Sequence, residues 1–464
     1  MRRVGLMLLG ALVAVACSSE TAQLPPIQDI DSEFGGFKKE VADPQEIVEQ
    51  ELCTTVWSKT LQTGGSISHP AVWGKSDQIL VASGQKLYAL EDAGKIAWTW
   101  PDDDADWDWP GGTGVAPPWE LYTPALGREF YPIFGTNAGY VISVDKNARA
   151  RFAIKVEGNV SGARAISGTS DSKDEKRILL VTDLGAIYVV KDENQSIVWS
   201  WTGDQKLQYP REGSQPLVGP AALYAVESML VLAYDRLLCF ELATGKVRWE
   251  FVIDVEENKE ATSNAIMDIE GNVYFVAGED RTASEYARSY VFKVPPGGPD
   301  AGVETYLLTE AQTRVVSLSQ GQQKTLLAGT NNAGLFSFDL PTKTTYWNYV
   351  ASEQNFEMVA QPIQGADGLV YFGAARHWLH VVNSTGDYQW HDRLDTPDDD
   401  LGAILWPSSP ILLANGLAIF HNGNRVHAVH CTDAGPADLA WPRFGANNHN
   451  TGNISDKLTE ATPE

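Results

Sequence analysis

The sequence is short of cysteine and of positive charge. Its 464 residues include only 4 cysteines, too few for the disulfide scaffold of a small secreted domain. Lys and Arg total 35 against 60 for Asp and Glu, which gives a formal net charge of −25 at pH 7. Such an acidic surface repels phosphate groups, so the charge argues against nucleic acid or an anionic lipid surface as the main partner.

No apolar run at the N-terminus is long enough to span a membrane. Arg2 and Arg3 precede an apolar run from Val4 to Ala16, which has 13 residues, whereas a spanning helix needs about 20. This arrangement predicts an export signal over residues 1–17 that is removed on maturation.

The end of that run, Ala14-Val-Ala-Cys17, resembles the lipobox of bacterial lipoproteins, in which the cysteine becomes the acylated N-terminus. The resemblance implies a lipid anchor on Cys17, and plain secretion with a coincidental cysteine is the alternative. Ser18 rather than Asp follows, which by the sorting rule known for many lipoproteins of diderm bacteria favours the outer membrane.

Residues 18–52 are acidic, and their apolar residues are not spaced as in a long helix. Nine acidic residues against Lys38 and Lys39 predict a solvated tether between the anchor and the folded domain. Within it, Asp43-Pro-Gln-Glu46 has a capping residue followed by Pro at the first helical position, which predicts a short helix near 44–51.

A phrase of about 20 residues then recurs eight times. Its fullest copies run from Val81 to Trp98 and from Val231 to Trp249. Each copy has two apolar strands around a turn, a Gly-containing hairpin, and a strand that carries a marker aromatic residue: Trp98, Phe152, Trp199, Trp249, Tyr306, Trp347, Trp390 and Trp441. A short strand precedes each copy, so every unit has four strands, the signature of a β-propeller blade.

The phrase resembles the pyrroloquinoline-quinone-type (PQQ-like) propeller repeat, Leu-Tyr-Ala-Leu-Asp-x-x-Thr-Gly-x-x-x-Trp, over residues 53–453, and residues 454–464 are predicted to be a disordered tail. Trp441-Pro-Arg-Phe444 is similar to the segment that ends such repeat domains. The predicted fold is all-β, an eight-bladed propeller closed by N- and C-terminal strands in the last blade. A seven-bladed ring with the fifth copy as an insertion is the alternative.

Ring closure would use Cys53-Thr-Thr-Val-Trp57 as the outer strand of the last blade, beside Arg425–His430. Cys53 lies four residues before Trp57, as the turn residue Gly94 lies four before Trp98, so Cys53 should fall near Cys431. A Cys53–Cys431 disulfide is therefore predicted. Two free thiols are the alternative, because Trp441 competes for the same outer-strand position.

Other cysteine and histidine residues occupy packing positions of the repeat. Cys239 stands where Ala89 stands in the first copy, and His380 and His427 stand where Tyr88 stands. We expect all three to be buried packing residues rather than metal ligands.

Quinoprotein dehydrogenases share this repeat, but the sequence has no adjacent cysteines and no Cys-x-x-Cys-His haem attachment. No stretch matches their cofactor ligands, so no quinone cofactor is expected and we predict that the protein is not an enzyme. Motifs of zinc proteases, serine hydrolases and phosphate-binding loops are also absent.

Two acidic loops connect blades. They carry the candidate residues Asp104, Asp106, Trp107, Asp108 and Trp109 in one loop and Asp398, Asp399 and Asp400 in the other. Alternating carboxylates can converge on Ca²⁺, but the sixth position of a calcium loop is Trp109 rather than Gly. The loops therefore form a solvated acidic rim, a Ca²⁺ site, or a docking patch that uses the two tryptophans.

Polar residues precede the predicted inner strand of every blade. They should ring the mouth of the central channel: His69, Thr123, Arg164, Gln215, Asn264, Arg314, Gln361 and Ser409. They either satisfy backbone groups at the strand starts or form a site for a small ligand or a peptide end, with Arg164 and Arg314 holding an anion.

Lipobox, tether and eight PQQ-like blades together resemble the BamB-type lipoproteins of the outer-membrane β-barrel assembly machinery. That resemblance implies a non-catalytic scaffold that is lipid-anchored at the outer membrane and binds envelope proteins, among them barrel-assembly components. A propeller that binds a small ligand or glycan at the cell surface is the first alternative, and a quinone-dependent dehydrogenase is the second.

Overall fold

The computed structural model describes residues 52–439, except 62–67, 74–77, 102–107, 110–111, 114–118, 127–130, 146, 161, 167–176, 192–193, 203–227, 233–234, 254–258, 280–287, 310–313, 332–333, 351–359, 375–377, 394–407 and 423–424. The predicted helix near 44–51, the lipobox cysteine Cys17, the tail 454–464 and Trp441 lie outside these residues. Among the described residues, no helix has the length and hydropathy needed to cross a bilayer.

Antiparallel strands make up almost all of the regular structure in the first half of the described chain. Strand β1 (Thr54–Thr60) is followed by a sheet of β2 (Ala71–Trp73), β3 (Gln78–Ser83), β4 (Lys86–Leu90) and β5 (Ile96–Trp100), and by a ribbon of β6 (Asp108–Trp109) and β7 (Gly112–Thr113). The second sheet is β8 (Ala125–Leu126), β9 (Pro132–Gly135), β10 (Tyr140–Val144) and β11 (Ala150–Lys155). The third is β12 (Gly162–Ile166), β13 (Arg177–Val181), β14 (Ile187–Lys191) and β15 (Ile197–Trp201).

The second half continues in the same way. The fourth sheet is β16 (Ser228–Leu232), β17 (Arg236–Glu241) and β18 (Val247–Val252), and the fifth is β19 (Lys259–Ala261), β20 (Ile266–Met267), β21 (Val273–Glu279), β22 (Ser289–Val294) and β23 (Glu304–Thr309). The sixth is β24 (Val315–Gly321), β25 (Thr325–Thr330), β26 (Gly334–Asp339) and β27 (Thr344–Val350). The seventh is β28 (Ile363–Gln364), β29 (Val370–Ala374), β30 (Trp378–Val382) and β31 (Tyr388–Arg393), and the eighth is β32 (Ile411–Leu412), β33 (Leu417–Asn422) and β34 (Arg425–His430) together with β1. Two 3₁₀ turns, Pro299–Ala301 and Gln322–Lys324, lie between strands.

The middle strands of the sheets are buried on both faces, whereas the outer strands alternate. All six residues of β25 are buried, but in β27, at the outer end of the same sheet, only Trp347 and Tyr349 are half-buried and the other residues are exposed. A sheet that packs on another sheet on each side needs apolar residues at consecutive positions, which explains the near-continuous apolar runs of the repeat.

Each sheet packs on the next one through a shared apolar core. Leu80 of the first sheet packs with Phe134 of the second, and Ile133 of the second packs with Leu180 of the third. One core joins the third to the sixth sheets, and two more join the sixth to the seventh and the seventh to the eighth. Ile419 of the eighth sheet packs with Val81 of the first.

Three of the marker aromatic residues, Trp199, Trp249 and Trp347, lie on the hairpin turn of the following sheet, and this contact requires the turn glycines. A Cβ atom added to Gly245, which has φ +70°, would lie 2.5 Å from Cδ2 of Trp199. The Trp199 Nε1 atom also donates a hydrogen bond to the Leu242 carbonyl at 2.8 Å. Only a residue without a side chain leaves room for the indole at this left-handed position, which explains the recurring Gly.

The same contact joins the last sheet to the first. Trp57 in β1 lies over Gly94, where an added Cβ would be 2.6 Å from its Cδ2 atom, and Trp57 Nε1 donates to the Asp92 carbonyl at 2.6 Å. Strand β1 pairs with β34, with Thr54 opposite His430 and Thr60 opposite Arg425, as predicted from the sequence. Within the described residues, β1 rather than the segment around Trp441 therefore takes the outer-strand position of the eighth sheet.

The fifth copy forms a sheet of its own rather than an insertion. Strand β21 pairs with β22 over six positions, from Val273 opposite Val294 to Gly278 opposite Ser289, and β22 pairs with β23. The described residues contain eight sheets of three to five strands besides the ribbon, and the fifth copy accounts for one of them.

Candidate functional site

The predicted polar ring lies at the starts of the inner strands, and the structure describes most of it. His69, Thr123, Asn264, Gln361 and Ser409 each lie two residues before the first residue of an inner strand. Arg164 lies inside β12 rather than before it, paired with Leu179, because this strand begins at Gly162; its side chain is not described, and Gln215 lies outside the described residues.

Hydrogen bonds connect these residues from one sheet to the next. The Ser409 N–H donates to His69 Nδ1 at 2.7 Å, and the His69 N–H donates to Thr123 Oγ1 at 3.1 Å. Because Nδ1 of His69 accepts a hydrogen bond, Nε2 carries the proton of the neutral ring. The eighth, first and second sheets are thus joined through side chains at their strand starts.

The connection continues in the other direction around the sheets. The Ser409 hydroxyl donates to the Gln361 carbonyl at 2.6 Å, and Gln361 Nε2 donates to the Leu318 carbonyl. Asn264 Nδ2 donates to the same carbonyl at 3.0 Å, while Asn264 Oδ1 accepts from the Leu318 N–H at 3.0 Å. Six sheets, the fifth to the eighth and the first two, are therefore connected by one belt of hydrogen bonds.

This belt uses the side chains that were predicted as a possible ligand site. Three of these side chains are buried, with 0% exposure for Ser409, 4% for Gln361 and 6% for Thr123. Each of them forms a hydrogen bond with a backbone group of a neighbouring sheet. The geometry favours the structural interpretation of these positions, since a buried backbone N–H or carbonyl needs a partner where a strand begins.

Arg314 lies outside the belt and has an acidic partner. Its guanidinium pairs with the Glu260 carboxylate, whose side chain is only 4% exposed. A buried carboxylate needs a charge partner, so Arg314 neutralises Glu260 between the fifth and sixth sheets. The expectation that Arg314 holds a free anion is not supported by this contact.

Cys53 and Cys431 form a disulfide at the other end of the eighth sheet. Thr54 lies opposite His430 at that end, whereas Thr60 and Arg425 lie at the end where Ser409 begins the inner strand. The cysteine pair therefore lies on the face opposite the strand starts. It closes a loop with a sequence separation of 378 residues.

The histidines predicted as packing residues are buried as expected. His380 is 3% exposed, lies opposite Phe372, and stacks on its ring with the centroids 5.2 Å apart. Burial, with a smaller contribution from His391, lowers the pKa of His380 to about 3, so the ring is neutral near pH 7. His427 is 2% exposed and lies 3.0 Å from the Ser58 hydroxyl, and Cys239 is 3% exposed within the core.

The acidic loops lie mostly outside the described residues. This holds for Asp104, Asp106, Trp107, Asp398, Asp399 and Asp400. Asp108 and Trp109 form β6, which pairs with β7, and their side chains are not described. Among the described residues, no group of three or more His, Cys, Asp or Glu side chains is placed to hold a metal ion.

Comparison with known proteins supports the fold. No known protein family and no curated protein matches the chain. Among solved structures, that of BamB from Moraxella catarrhalis matches with a TM-score of 0.58 and 14% sequence identity, covering 82% of this chain and 99% of that protein. The likeness shows a BamB-like β-propeller fold.

Proposed function

We propose that the protein is a lipid-anchored envelope scaffold that binds other proteins without catalysis and takes part in outer-membrane β-barrel assembly. The observation that carries this proposal is the likeness to BamB, which extends over 99% of that protein although only 14% of residues are identical. The repeat phrase resembles the PQQ-like repeat, so the proposed class is a PQQ-like propeller without the quinone.

The proposed architecture is a single closed ring of eight blades. Consecutive sheets share apolar cores, and the eighth sheet shares one with the first. The contact of Trp57 with Gly94 repeats, between the last sheet and the first, the contact that Trp199 makes with Gly245. A ring leaves no exposed sheet face, which suits a scaffold that presents its outer wall and two ends to partners.

The anchor is tested by a Cys17→Ser substitution in the producing bacterium. The acyl chains on Cys17 hold the proposed scaffold at the outer membrane, so the variant should move from the membrane fraction to the soluble envelope fraction. Cys239→Ser is a matched control that removes a cysteine from the core and should leave the protein in the membrane fraction. A Cys17→Ser protein that stays membrane-bound contradicts the anchor.

The assembly role is tested by affinity purification of the tagged protein after chemical crosslinking in cells. Barrel-assembly components should co-purify in stoichiometric amounts, and depletion of the protein should lower the yield of folded outer-membrane barrels. Purification of the protein alone, together with normal barrel yield in depleted cells, would refute the assembly role and leave the fold assignment untouched.

A further inference from the structure

Strand β27 forms an outer edge of the sixth sheet that carries no charge. Its seven residues, Thr344–Val350, include no Lys, Arg, Asp, Glu or Pro. Within the described ranges β27 pairs only with β26, so its other edge presents backbone N–H and C=O groups that no described strand uses. In an antiparallel sheet alternate residues direct both groups to the same side, so about three residues of β27 offer them outward.

The seven other outer strands of the described sheets differ from β27 in charge or in length. Five of them carry charged side chains: Lys59 in β1, Arg151 and Lys155 in β11, Arg248 and Glu250 in β18, Glu304 in β23, and Asp392 and Arg393 in β31. The other two, β5 and β15, carry no charge but have only five residues each. Charge and short length both prevent a sheet edge from pairing with another chain, and β27 has neither protection.

One face of β27 is held against the seventh sheet. Trp347 lies over the turn at Gly386, where an added Cβ atom would be 2.7 Å from the Cδ2 atom of the indole. The Trp347 Nε1 atom also donates to the Ser384 carbonyl at 2.8 Å. Tyr349 packs on Phe372, with the ring centroids 5.9 Å apart. Because these contacts already order the strand, an added strand would lose little free energy in ordering the edge with which it pairs.

The opposite face of β27 is exposed. Tyr346, Asn348 and Val350 alternate with the two residues that contact the seventh sheet, and Tyr346 and Val350 are 53% and 54% exposed. Pairs of aromatic and β-branched side chains on neighbouring strands stabilise a sheet. A strand that placed Val, Thr or Tyr beside these two residues would therefore bury apolar surface in addition to forming backbone hydrogen bonds.

Aromatic residues of the seventh sheet face the same region. His391 lies opposite His380, whose ring centroid is 5.9 Å from that of Tyr349, so His391 is on the face of the seventh sheet that is directed towards β27. Tyr388 lies opposite Val382, which packs in the core shared with the sixth sheet, and its ring centroid is 5.2 Å from that of His391. An added strand would direct alternate side chains towards these rings, which favours apolar or aromatic residues at those positions.

We propose that β27 accepts an extended, uncharged segment of a partner protein as a fifth strand of the sixth sheet. The proposal rests on the protein-binding role proposed above and names the chemistry of one partner. Backbone groups of the edge supply the affinity, and side chains at alternate positions supply the specificity. A second copy of this chain is a less suitable occupant than a neutral segment, because two copies that each carry a net charge of −25 repel one another.

The test is a fluorescence anisotropy titration of the purified full chain with the labelled peptide Lys-Thr-Val-Thr-Tyr-Thr-Val-Thr-Lys. The control peptide has the same sequence with N-methyl groups on two consecutive central residues. This change removes one N–H donor from each edge of the peptide and leaves its charge and side chains unaltered. The methylated peptide should bind about ten-fold more weakly than the unmethylated one.

Tyr346→Ser with Val350→Ser should weaken binding of the unmethylated peptide about ten-fold, or about three-fold for each cross-strand pair that is lost. Tyr346→Ser alone should weaken it about three-fold and keeps the test valid if the double variant folds poorly. The matched control is Ile197→Ser with Val252→Ser, which changes two side chains of similar exposure on β15 and β18 and should bind as the wild type does.

Hydrogen exchange locates the bound peptide on the chain. Backbone amides of residues 344–350 should exchange more slowly when the unmethylated peptide is bound, whereas those of β15 should not change. Equal affinity for the two peptides, equal loss in both double variants, or unchanged exchange over residues 344–350 would overturn the proposal.

One further outcome would also overturn it. Self-association of the wild type that is lost in the Tyr346 and Val350 double variant would make the occupant of the edge a second copy of this chain. Peptide binding that slows exchange in β27, without co-purified assembly components, would support the edge as a docking site and refute the assembly role. The converse result would do the opposite.

Discussion

Replacing Gly245 with Ala tests how the sheets are held together. Gly245 has φ +70° and lies beneath Trp199, so a new Cβ would be 2.5 Å from Cδ2 and 2.6 Å from Cε3 of the indole. Trp199 is itself 9% exposed and anchored by its hydrogen bond to the Leu242 carbonyl. The ring can make room only by leaving the core between the third and fourth sheets.

Two costs add at this position. A left-handed backbone costs an L-residue about 1–2 kcal/mol. Forcing a methyl group into a packed contact costs about 1–3 kcal/mol more. We therefore expect Gly245→Ala to lower the free energy of unfolding by about 2–5 kcal/mol.

Gly302→Ala is a control that carries backbone strain without a clash. Gly302 has φ +103° and ψ 107°, a conformation that L-residues rarely adopt, and no heavy atom lies within 4 Å of a Cβ built there. Urea unfolding followed by tryptophan fluorescence should show a loss of about 1–3 kcal/mol for Gly302→Ala and a larger loss for Gly245→Ala, because only the second variant adds a clash. A loss for Gly245→Ala that is no larger than that for Gly302→Ala would contradict the clash with Trp199.

Three further predictions concern other contacts. Replacing Cys53 and Cys431 with Ala should lower the free energy of unfolding by about 2–4 kcal/mol, and reductant should bring the wild type to the same value; a wild type insensitive to reductant would contradict the disulfide. Because burial lowers the pKa of His380 from 6.5 to about 3, protons bind only the unfolded chain between these values and stability should fall as pH drops through that window. His380→Phe should lose less melting temperature between pH 7 and pH 4.5 than the wild type, and an equal loss would refute the assignment. Lys343 has φ 61° and its Nζ lies 4.8 Å from the centre of the Tyr306 ring, so this pair stands where Gly245 and Trp199 stand between the third and fourth sheets. Because Gly tolerates this backbone and leaves room for an indole, Lys343→Gly with Tyr306→Trp should be more stable than the sum of the two single variants predicts, as a double-mutant cycle would measure.

Local signals in the sequence predicted the sheets well. The turn Gly and the marker aromatic lie four residues apart in the hairpins of the fullest copies, as Gly94 and Trp98 do, so each unit could be recognised from a short segment. The same spacing placed Cys53 near Cys431, although a sequence separation of 378 residues divides them. A repeat makes such distant pairings predictable because a position in one unit has a known counterpart in every other.

The hydrogen-bonded belt could not be predicted in the same way. The sequence shows that His69 and Ser409 are polar, but their bond spans 340 residues and uses the backbone N–H of one and the ring of the other. The pairing of Arg314 with Glu260 is also invisible, since Glu260 lies in β19 and belongs to no repeated motif. Polarity at a strand start is the same whether the side chain serves a backbone group or a ligand.

This difference indicates where function lies on a repeat protein. Some positions that recur in each unit pack against the neighbouring sheet, as Trp57, Trp199 and Trp347 do. Others form hydrogen bonds between sheets, as Gln361 and Ser409 do. A partner that must recognise one place on a propeller of similar sheets can use only features that do not recur. The outer strand of the second sheet, β11, is such a feature, because it carries Arg151 and Lys155 and no acidic residue, whereas the corresponding β27 has no charged residue and β18 carries both a cation and an acid. Recognition of the propeller should therefore depend on the side chains that break the repeat, and substitutions there should alter binding without altering the fold.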